Sequence, residues 1–420
     1  MTFFRLTRLA AQTTPVSSLF ASHPGFAVFW AARGASGLAY QMVGVAVGWQ
    51  MYALTHSTFM LGLVGLAQFV PMVLCTLPAG HVADRHERRR VSALALLLQA
   101  LAVGFLALGS RAGWLTSGMI FGAVALAGGA RSFERPASQA LLPALVPEAE
   151  FPRALALSAA IFQAAAIAGP ALGGLIYGLG AFWVYAPAAA LALLSAGAFV
   201  LIRVEGPERP RQPATLASLF SGIHYIRGQP VILGSISLDL FAVLLGGATA
   251  LLPAFARDIL KVGSWGLGAL RAAPALGSLA LSAWLARRPL QRHVGRKMFT
   301  AVILFGLATC VFGLSRSFAL SFLALVVAGA ADCVSVVVRS SLVQLQTPDA
   351  MRGRVSAVNS LFIGTSNQLG EFESGLTAAW WGIVPATVIG GLGTLAVAAI
   401  WMRLFPELAR RDRLNAKAEA

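Results

Sequence analysis

Residues 80–90 read GHVADRHERRR: Gly80-His81-Val82-Ala83-Asp84-Arg85-His86-Glu87-Arg88-Arg89-Arg90. Two acids and four arginines stand here between two long apolar runs. A charged side chain costs at least about 2.5 kcal/mol at the centre of a bilayer. A cluster of this kind therefore marks a loop at a membrane surface, provided that its flanks are spans. Composition supplies that condition. Of 420 residues, 57% are hydrophobic and 11% charged, and mean hydropathy is +0.75, where a soluble domain carries about 25% charged residues. The chain is an integral membrane protein, and its net charge of +16 is a matter of topology rather than of nucleic-acid binding.

A span needs about 20 apolar residues to cross about 30 Å of hydrocarbon. Twelve such runs lie near 26–50, 59–82, 91–110, 116–143, 154–178, 183–202, 231–256, 264–286, 297–314, 319–346, 354–379 and 383–404. Runs of this length exclude barrel strands of about 10 residues, so the expected fold class is an all-α membrane protein of twelve transmembrane helices in two six-helix halves. With both termini inside, 23 of the 32 Lys and Arg fall in cytoplasmic segments and 4 in outer loops, the bias that sets orientation. The expected organisation is a cytoplasmic tail over 1–25, a bundle over 26–203, a cytoplasmic connector over 204–230, a second bundle over 231–404 and a cytoplasmic tail over 405–420. The start of the chain reads as a retained tail, not as a signal peptide. Within the connector, 214–226 is expected to form a short interfacial helix.

The halves align on each other at an offset of 201 residues from Phe121/Phe322 to Leu175/Leu376, with Pro147/Pro348, Arg153/Arg354, Gly169/Gly370 and Gly174/Gly375 among the identities. Duplicated halves are the architecture of a rocking transporter with its site between them.

GHVADRHERRR joins the second and third spans, and it resembles the loop signature of the major facilitator superfamily, G-x-x-x-D-R-x-G-R-R-[RK]. Gly80, Asp84, Arg85, Arg88, Arg89 and Arg90 match, and Glu87 replaces a glycine. The resemblance implies a gating latch that holds the outward-facing state, with Asp84 facing the positive end of the eleventh span; the alternative is that the arginines enforce topology alone. In the second half Leu285 stands where the offset predicts an acid. The stretches VAVGWQMYALTHSTFMLGLVGLAQFVPM, RSFERPASQALLPALVP, SLDLFAVLLGGATALLPAFARDIL and QTPDAMRGRVSAVNSLFIGTSNQLGEFESG resemble the superfamily's enterobactin-exporter-like branch. In span five, Gly169, Pro170, Gly173 and Gly174 are similar to the antiporter signature of drug exporters, and they serve either as a helix hinge or as a close-packing surface.

Charges inside spans are where transport chemistry is expected. Arg33 with Asp239 and Arg131 with Asp332 are expected to pair across the halves as proton-coupled gates, the rival being pairing within one half. Glu371 is expected to face the cavity in preference to Glu373. Gln41, Trp49, Gln50, Phe133, Gln163 and Asn367 are the expected substrate-binding residues of a cavity for an amphipathic molecule, although aromatics in spans commonly serve packing.

Three cysteines without metal spacing, six histidines in loops, tails or, for His81, the end of a span, and no G-x-x-x-x-G-K-[ST] or H-E-x-x-H leave no basis for an enzyme, a cofactor, a metal or a built-in ATPase. The expectation is a monomeric, proton-coupled exporter of a siderophore-like or drug-like molecule in a bacterial inner membrane, without nucleic acid as a partner. Its rivals are an importer or facilitator, and a non-transporting sensor on the same scaffold.

Overall fold

The computed structural model describes the backbone of residues 16–203 and 216–414, and their side chains except at 16–18, 77, 83, 84, 216–219, 349 and 350. Twelve long helices follow one another among the described residues: α1 (Pro24–Thr55), α2 (Thr58–Arg85), α3 (Arg88–Ala112), α4 (Ser117–Leu145), α5 (Phe151–Tyr177), α6 (Ala181–Leu201), α7 (Pro230–Gly246), α8 (Ser264–Arg287), α9 (Val294–Leu314), α10 (Phe318–Gln346), α11 (Asp349–Trp381) and α12 (Ile383–Leu404). Helix α7 continues through short turns to Ile259.

Nine of these described helices are long and apolar enough to cross a membrane. The other three, α1, α4 and α11, carry the in-span arginines and acids at 33, 131, 134, 135, 371 and 373. Helix α3 shows how lipid reverses the usual pattern. It buries Ser92, Gln99 and small alanines while exposing Leu94, Leu97, Leu98, Leu101, Phe105 and Leu108, a stripe at helical spacing that hydrocarbon covers.

Sequence sets the helix ends locally. The hydroxyls of Ser57 and Thr116 accept the N–H groups of Met60 and Met119, and Pro24, Pro152 and Pro230 occupy first turns, where a missing N–H costs nothing. Gly180 and Gly382 turn the chain into α6 and α12 with φ of +114° and +91°, a region that side chains rarely enter. The segment 410–414 folds back on α9, where the Val294 and Gly295 N–H groups donate to the Asp412 and Arg411 carbonyls at 3.2 and 2.9 Å. These bonds satisfy donors that a helix start leaves open.

Duplication is written into the helix starts. Those of α1, α2 and α3 recur 206 residues later as those of α7, α8 and α9, and α4 recurs 201 residues later as α10 with both ends in register. Within the first half α1 packs on α5 and α6, α3 on α4 and α6, and α2 on α4; in the second, α7 packs on α11 and α12, α9 on α10 and α12, and α8 on α10. The broad contacts between halves are α5 with α8 and α2 with α11. The helix Leu216–Arg227 lies on α11, burying Ile226 beside Val355 and Val358, and the preceding stretch 204–215 lies outside the described residues. The bundle end carrying this connector is called the connector end, and the opposite one the distal end.

Candidate functional site

The two contacts between halves are symmetry mates built from glycine. On one side Gly375 of α11 meets Gly62 of α2, so close that a Cβ on Gly375 would lie 2.5 Å from Gly62 Cα. On the other, Gly174 of α5 meets Gly268 of α8, where a Cβ on Gly174 would lie 2.7 Å from Gly268 Cα. Gly174 and Gly375 are 201 residues apart, and Gly62 and Gly268 are 206 apart. Small residues let two backbones touch where lipid offers no hydrophobic force to press helices together. Both seams lie near the distal end, and the Tyr52 hydroxyl of α1 donates beside them to the Asp258 carboxylate after α7. Toward the connector end α5 leaves 152, 155, 156, 159, 160, 162 and 164 exposed, an arc of more than half its circumference. The bundle is closed distally and splayed at the connector end.

Beneath the seams lies a cavity of about 1010 Å³ including its open mouth. One turn below Gly375, Glu371 rests on α2, with Oε2 3.0 Å from where a Cβ on Gly65 would stand. One turn below Gly268, the Arg271 Nη1 donates across the interface to the Gly44 carbonyl of α1 at 3.0 Å. Both charges line the cavity, and Arg271 acts electrostatically on the Glu371 carboxyl. Their counterparts in the first half are Pro170 and Gly65, so the second half alone supplies charge to the roof. Gln99 and Gln368 also line the cavity, and each has a buried amide atom, Nε2 and Oε1 respectively, without a hydrogen-bond partner among the described residues. A donor and an acceptor left open in a pocket whose other walls are largely apolar beneath a charged roof suit a ligand with a few polar groups. Tyr40 donates to Gln68 at 3.2 Å and carries the Arg131 guanidinium over its ring, 3.5 Å from the centroid.

The expected cross-half ion pairs do not form. Asp239 pairs with Arg339 of its own half, both nearly fully buried, while Arg33 Nη1 donates to the Ser138 hydroxyl at 2.7 Å. Asp332 has no hydrogen-bond or ion-pair partner among the described residues and lies beside Asp239 and Arg339. Arg131 sits on Tyr40, not on Asp332. The reason is geometric: a repeat offset names equivalent places in two bundles, and equivalence across an axis does not bring side chains together. Arg33–Ser138 and Asp239–Arg339 are in fact the same contact in the two halves, with 33 and 239 separated by 206 residues and 138 and 339 by 201. A basic cluster of Arg33, Arg131 and Arg135 around Glu134 in the first half thus has, at the equivalent place in the second, an acidic one of Asp239 and Asp332 around Arg339.

The six expected substrate-binding residues lie away from the cavity lining. Gln41 packs against Gly169, and Trp49 stacks edge-on with Tyr177. Gln50 is engaged by Ser110 and by Tyr185 at 2.9 Å, and Phe133 packs by Val91 and Ala137. Gln163 donates across the halves to the Ala275 carbonyl at 2.8 Å, and Asn367 is exposed and donates to Ile363 of its own helix. Gln50, Gln163 and Asn367 thus commit hydrogen-bonding groups to neighbours outside the cavity lining. The sequence signal for Arg271 was available in its pairing with Gly65 at an offset of 206.

Helix α5 runs unbroken through Pro170, and its glycines serve close approach: Gly169 and Gly173 to α1, Gly174 to α8. In the 80–90 stretch, Gly80 and Arg85 belong to the last turns of α2, and the Asp84 side chain lies outside the described residues. Arg88 is buried and donates to the Ala140 carbonyl at 3.2 Å, and Arg89 donates to the Ile202 carbonyl at 3.3 Å. Both bonds stay within the first half. Glu87 accepts from Arg89 and Arg90, and the hydrogen bond from Arg89 chiefly holds its carboxyl below the usual range. At an offset of 206 the counterpart of Asp84 is Leu290, not Leu285, and it too carries no charge.

Comparison with known proteins agrees with this architecture. A model of the family described as transmembrane secretion effector matches residues 14–419. The enterobactin exporter EntS of Citrobacter koseri is 29% identical over 407 residues, and that of Shigella boydii serotype 18 is 28% identical, each alignment covering 94% of both chains. Among solved structures, a bacterial homolog of the human lysosomal transporter Spinster superposes with a TM-score of 0.72 at 14% identity, covering 92% of this chain and 98% of its own. The nucleoside transporter NupG gives 0.68 at 16%, covering 91% and 99%. A helical bundle closed by paired glycine seams over a polar-spotted cavity, together with a family match along nearly its whole length, makes this chain a multi-pass membrane transporter of the transmembrane secretion effector family, within the major facilitator superfamily.

Proposed function

We propose that the protein exports a small amphipathic organic molecule by alternating access, exchanging it for a proton, as a monomer in a bacterial inner membrane with both termini and the connector in the cytoplasm. The observation that carries this reading is the roof of the cavity: an acid and a base of one half, Glu371 and Arg271, pressed against glycines of the other directly beneath the seams. A carboxylate at that place is costly in hydrocarbon unless it is hydrated, paired or protonated. Its protonation state therefore biases whether the halves stay closed above it, which links proton movement to rocking. Basic residues concentrated at the connector end, against Arg111, Arg257, Lys261 and Arg316 at the distal loops, support the orientation. In that orientation the splayed end faces the cytoplasm and loads substrate. The expected 80–90 latch belongs to the opposite state and would form when the connector end closes.

Relatives that carry the name of an enterobactin exporter make a catechol siderophore the first substrate to test, with hydrophobic dyes beside it. Cells lacking the protein are expected to accumulate the substrate, and restoring the gene should lower accumulation unless a proton uncoupler is present. Export indifferent to the uncoupler would argue for facilitation. Glu371→Gln is expected to abolish uphill export while retaining exchange of labelled for unlabelled substrate in proteoliposomes. Uphill export at the wild-type rate in this variant would remove Glu371 from the coupling.

A further inference from the structure

The second half holds a buried polar group that the central cavity does not use. Asp239 of α7 and Arg339 of α10 form an ion pair, and Asp332 lies beside them without a bonded partner among the described residues. A separate, much smaller gap is lined by Asp239, Asp332 and Ser335 and, from α9, by Ala301, Val302 and Phe305. Ser335 follows Asp332 by three residues on α10, so the two side chains share a face. It is 3% exposed, and its hydroxyl, at the wall of the void, has no hydrogen-bond partner among the described residues. Among the described residues lining the void, Asp239 and Asp332 carry the charge: α9 brings apolar residues alone, α7 adds Ala242 and Val243, and α10 adds Ala331.

We propose that this void binds one exchangeable monovalent cation, a proton or a sodium ion, held by Asp332 and the Ser335 hydroxyl with the Asp239–Arg339 pair behind them. Charge sets the valence. Two carboxylates and one guanidinium leave a single negative charge in excess, which one positive charge neutralises; a divalent ion would reverse the imbalance instead of removing it. Calcium also seeks 6–8 oxygens, more than these side chains offer. Size excludes the transported molecule: the gap between these side chains admits about one water-sized body, enough for a proton or a single partly dehydrated ion and far short of an organic ligand. The first half cannot duplicate the site, because the places of Asp332 and Ser335 are taken there by Arg131 and Glu134. Occupancy of this void does not depend on what the central cavity carries.

The test uses the full chain in lipid nanodiscs without substrate, so that its outcome is separate from that of the export assays. Thermal unfolding is followed against NaCl with choline chloride as control, and then against pH from 8.5 to 5.5 in choline alone. A cation that binds the folded state raises the melting temperature in proportion to its occupancy. A rise with sodium but not choline, lost in Asp332→Asn, identifies sodium; a rise on acidification without sodium, lost in Asp332→Asn, identifies the proton. Ser335→Ala keeps both carboxylates and is expected to move the midpoint of whichever titration occurs. Wild type and Asp332→Asn responding alike to both titrations, or midpoints unchanged in Ser335→Ala, would overturn the site.

Discussion

Gly375→Leu is expected to drive the protein out of its distally closed state and to reduce export by about 5- to 150-fold. The cause is steric: Cβ would fall 2.5 Å from Gly62 Cα and 2.6 Å from its nitrogen, and both are backbone atoms that no rotamer change can move aside. Overpacking of this kind costs about 1–3 kcal/mol, which as a bias between two states amounts to that range of populations. In the proposed cycle only the closed seam pays this cost, because the glycines would separate as the distal end opens. Gly174→Leu, at the symmetry-related seam, should act alike, and Gly375→Ala should act less. Export from cells measures the effect, with surface expression and a monodisperse profile in detergent as the folding control. Wild-type export by a well-folded Gly375→Leu protein would show that the seam is not part of the cycle.

The second large effect concerns folding. Asp239→Ala leaves Arg339, 2% exposed, without its partner inside the second half. Removing one member of a buried ion pair costs about 3–5 kcal/mol, so a marked fall in melting temperature and in yield is expected. Arg339→Ala should do comparable harm, whereas Asp239→Leu combined with Arg339→Met, which removes both charges, should recover most of the stability. A double variant as unstable as either single one would mean that the pair is not the reason for the loss. In the first half the equivalent place is Arg33 with Ser138, a bond to a neutral partner 2.7 Å away. Ser138→Ala is therefore much the milder change.

Much of the fold was legible because lipid imposes length and polarity on each span. The run 264–286 is the helix Ser264–Arg287, and 319–346 is Phe318–Gln346. The misjudged ends belong to helices that outrun the hydrocarbon. Helix α11 begins at Asp349 rather than near 354 and ends at Trp381, since Arg352 and Arg354 halt a hydropathy count without halting a helix. The repeat was half visible. A single offset of 201 finds Gly174 and Gly375, but α9 is shorter than α3, 21 residues against 25, and the turn after it is also shorter, which shifts the earlier helices to 206 and hid Gly62/Gly268 and with them the partners of both seams. The site was the least legible part. Arg131 and Asp332 do occupy equivalent places, yet each is satisfied or left open by neighbours in its own bundle, and contacts of that kind depend on helix rotation that periodicity does not give. Glu371 was accessible to reasoning because two acids two residues apart cannot share a helix face, and Glu371 is the one next to Gly370. Gln99 and Gln368 were not, because nothing in the sequence distinguishes an amide facing a cavity from one, like Gln50, already bonded to Ser110 and Tyr185.

Central to this mechanism are two halves that rock about glycine seams, opening one end as the other closes. Distances between paired spin labels measure this directly, one pair at Leu179 and Trp265 across the distal end and another at Ala149 and Arg288 across the connector end, all at exposed positions. On adding substrate and then a proton gradient, the distal distance is predicted to lengthen as the connector distance shortens, within one population of molecules. Distances that stay fixed at both ends, or that lengthen together, would contradict it.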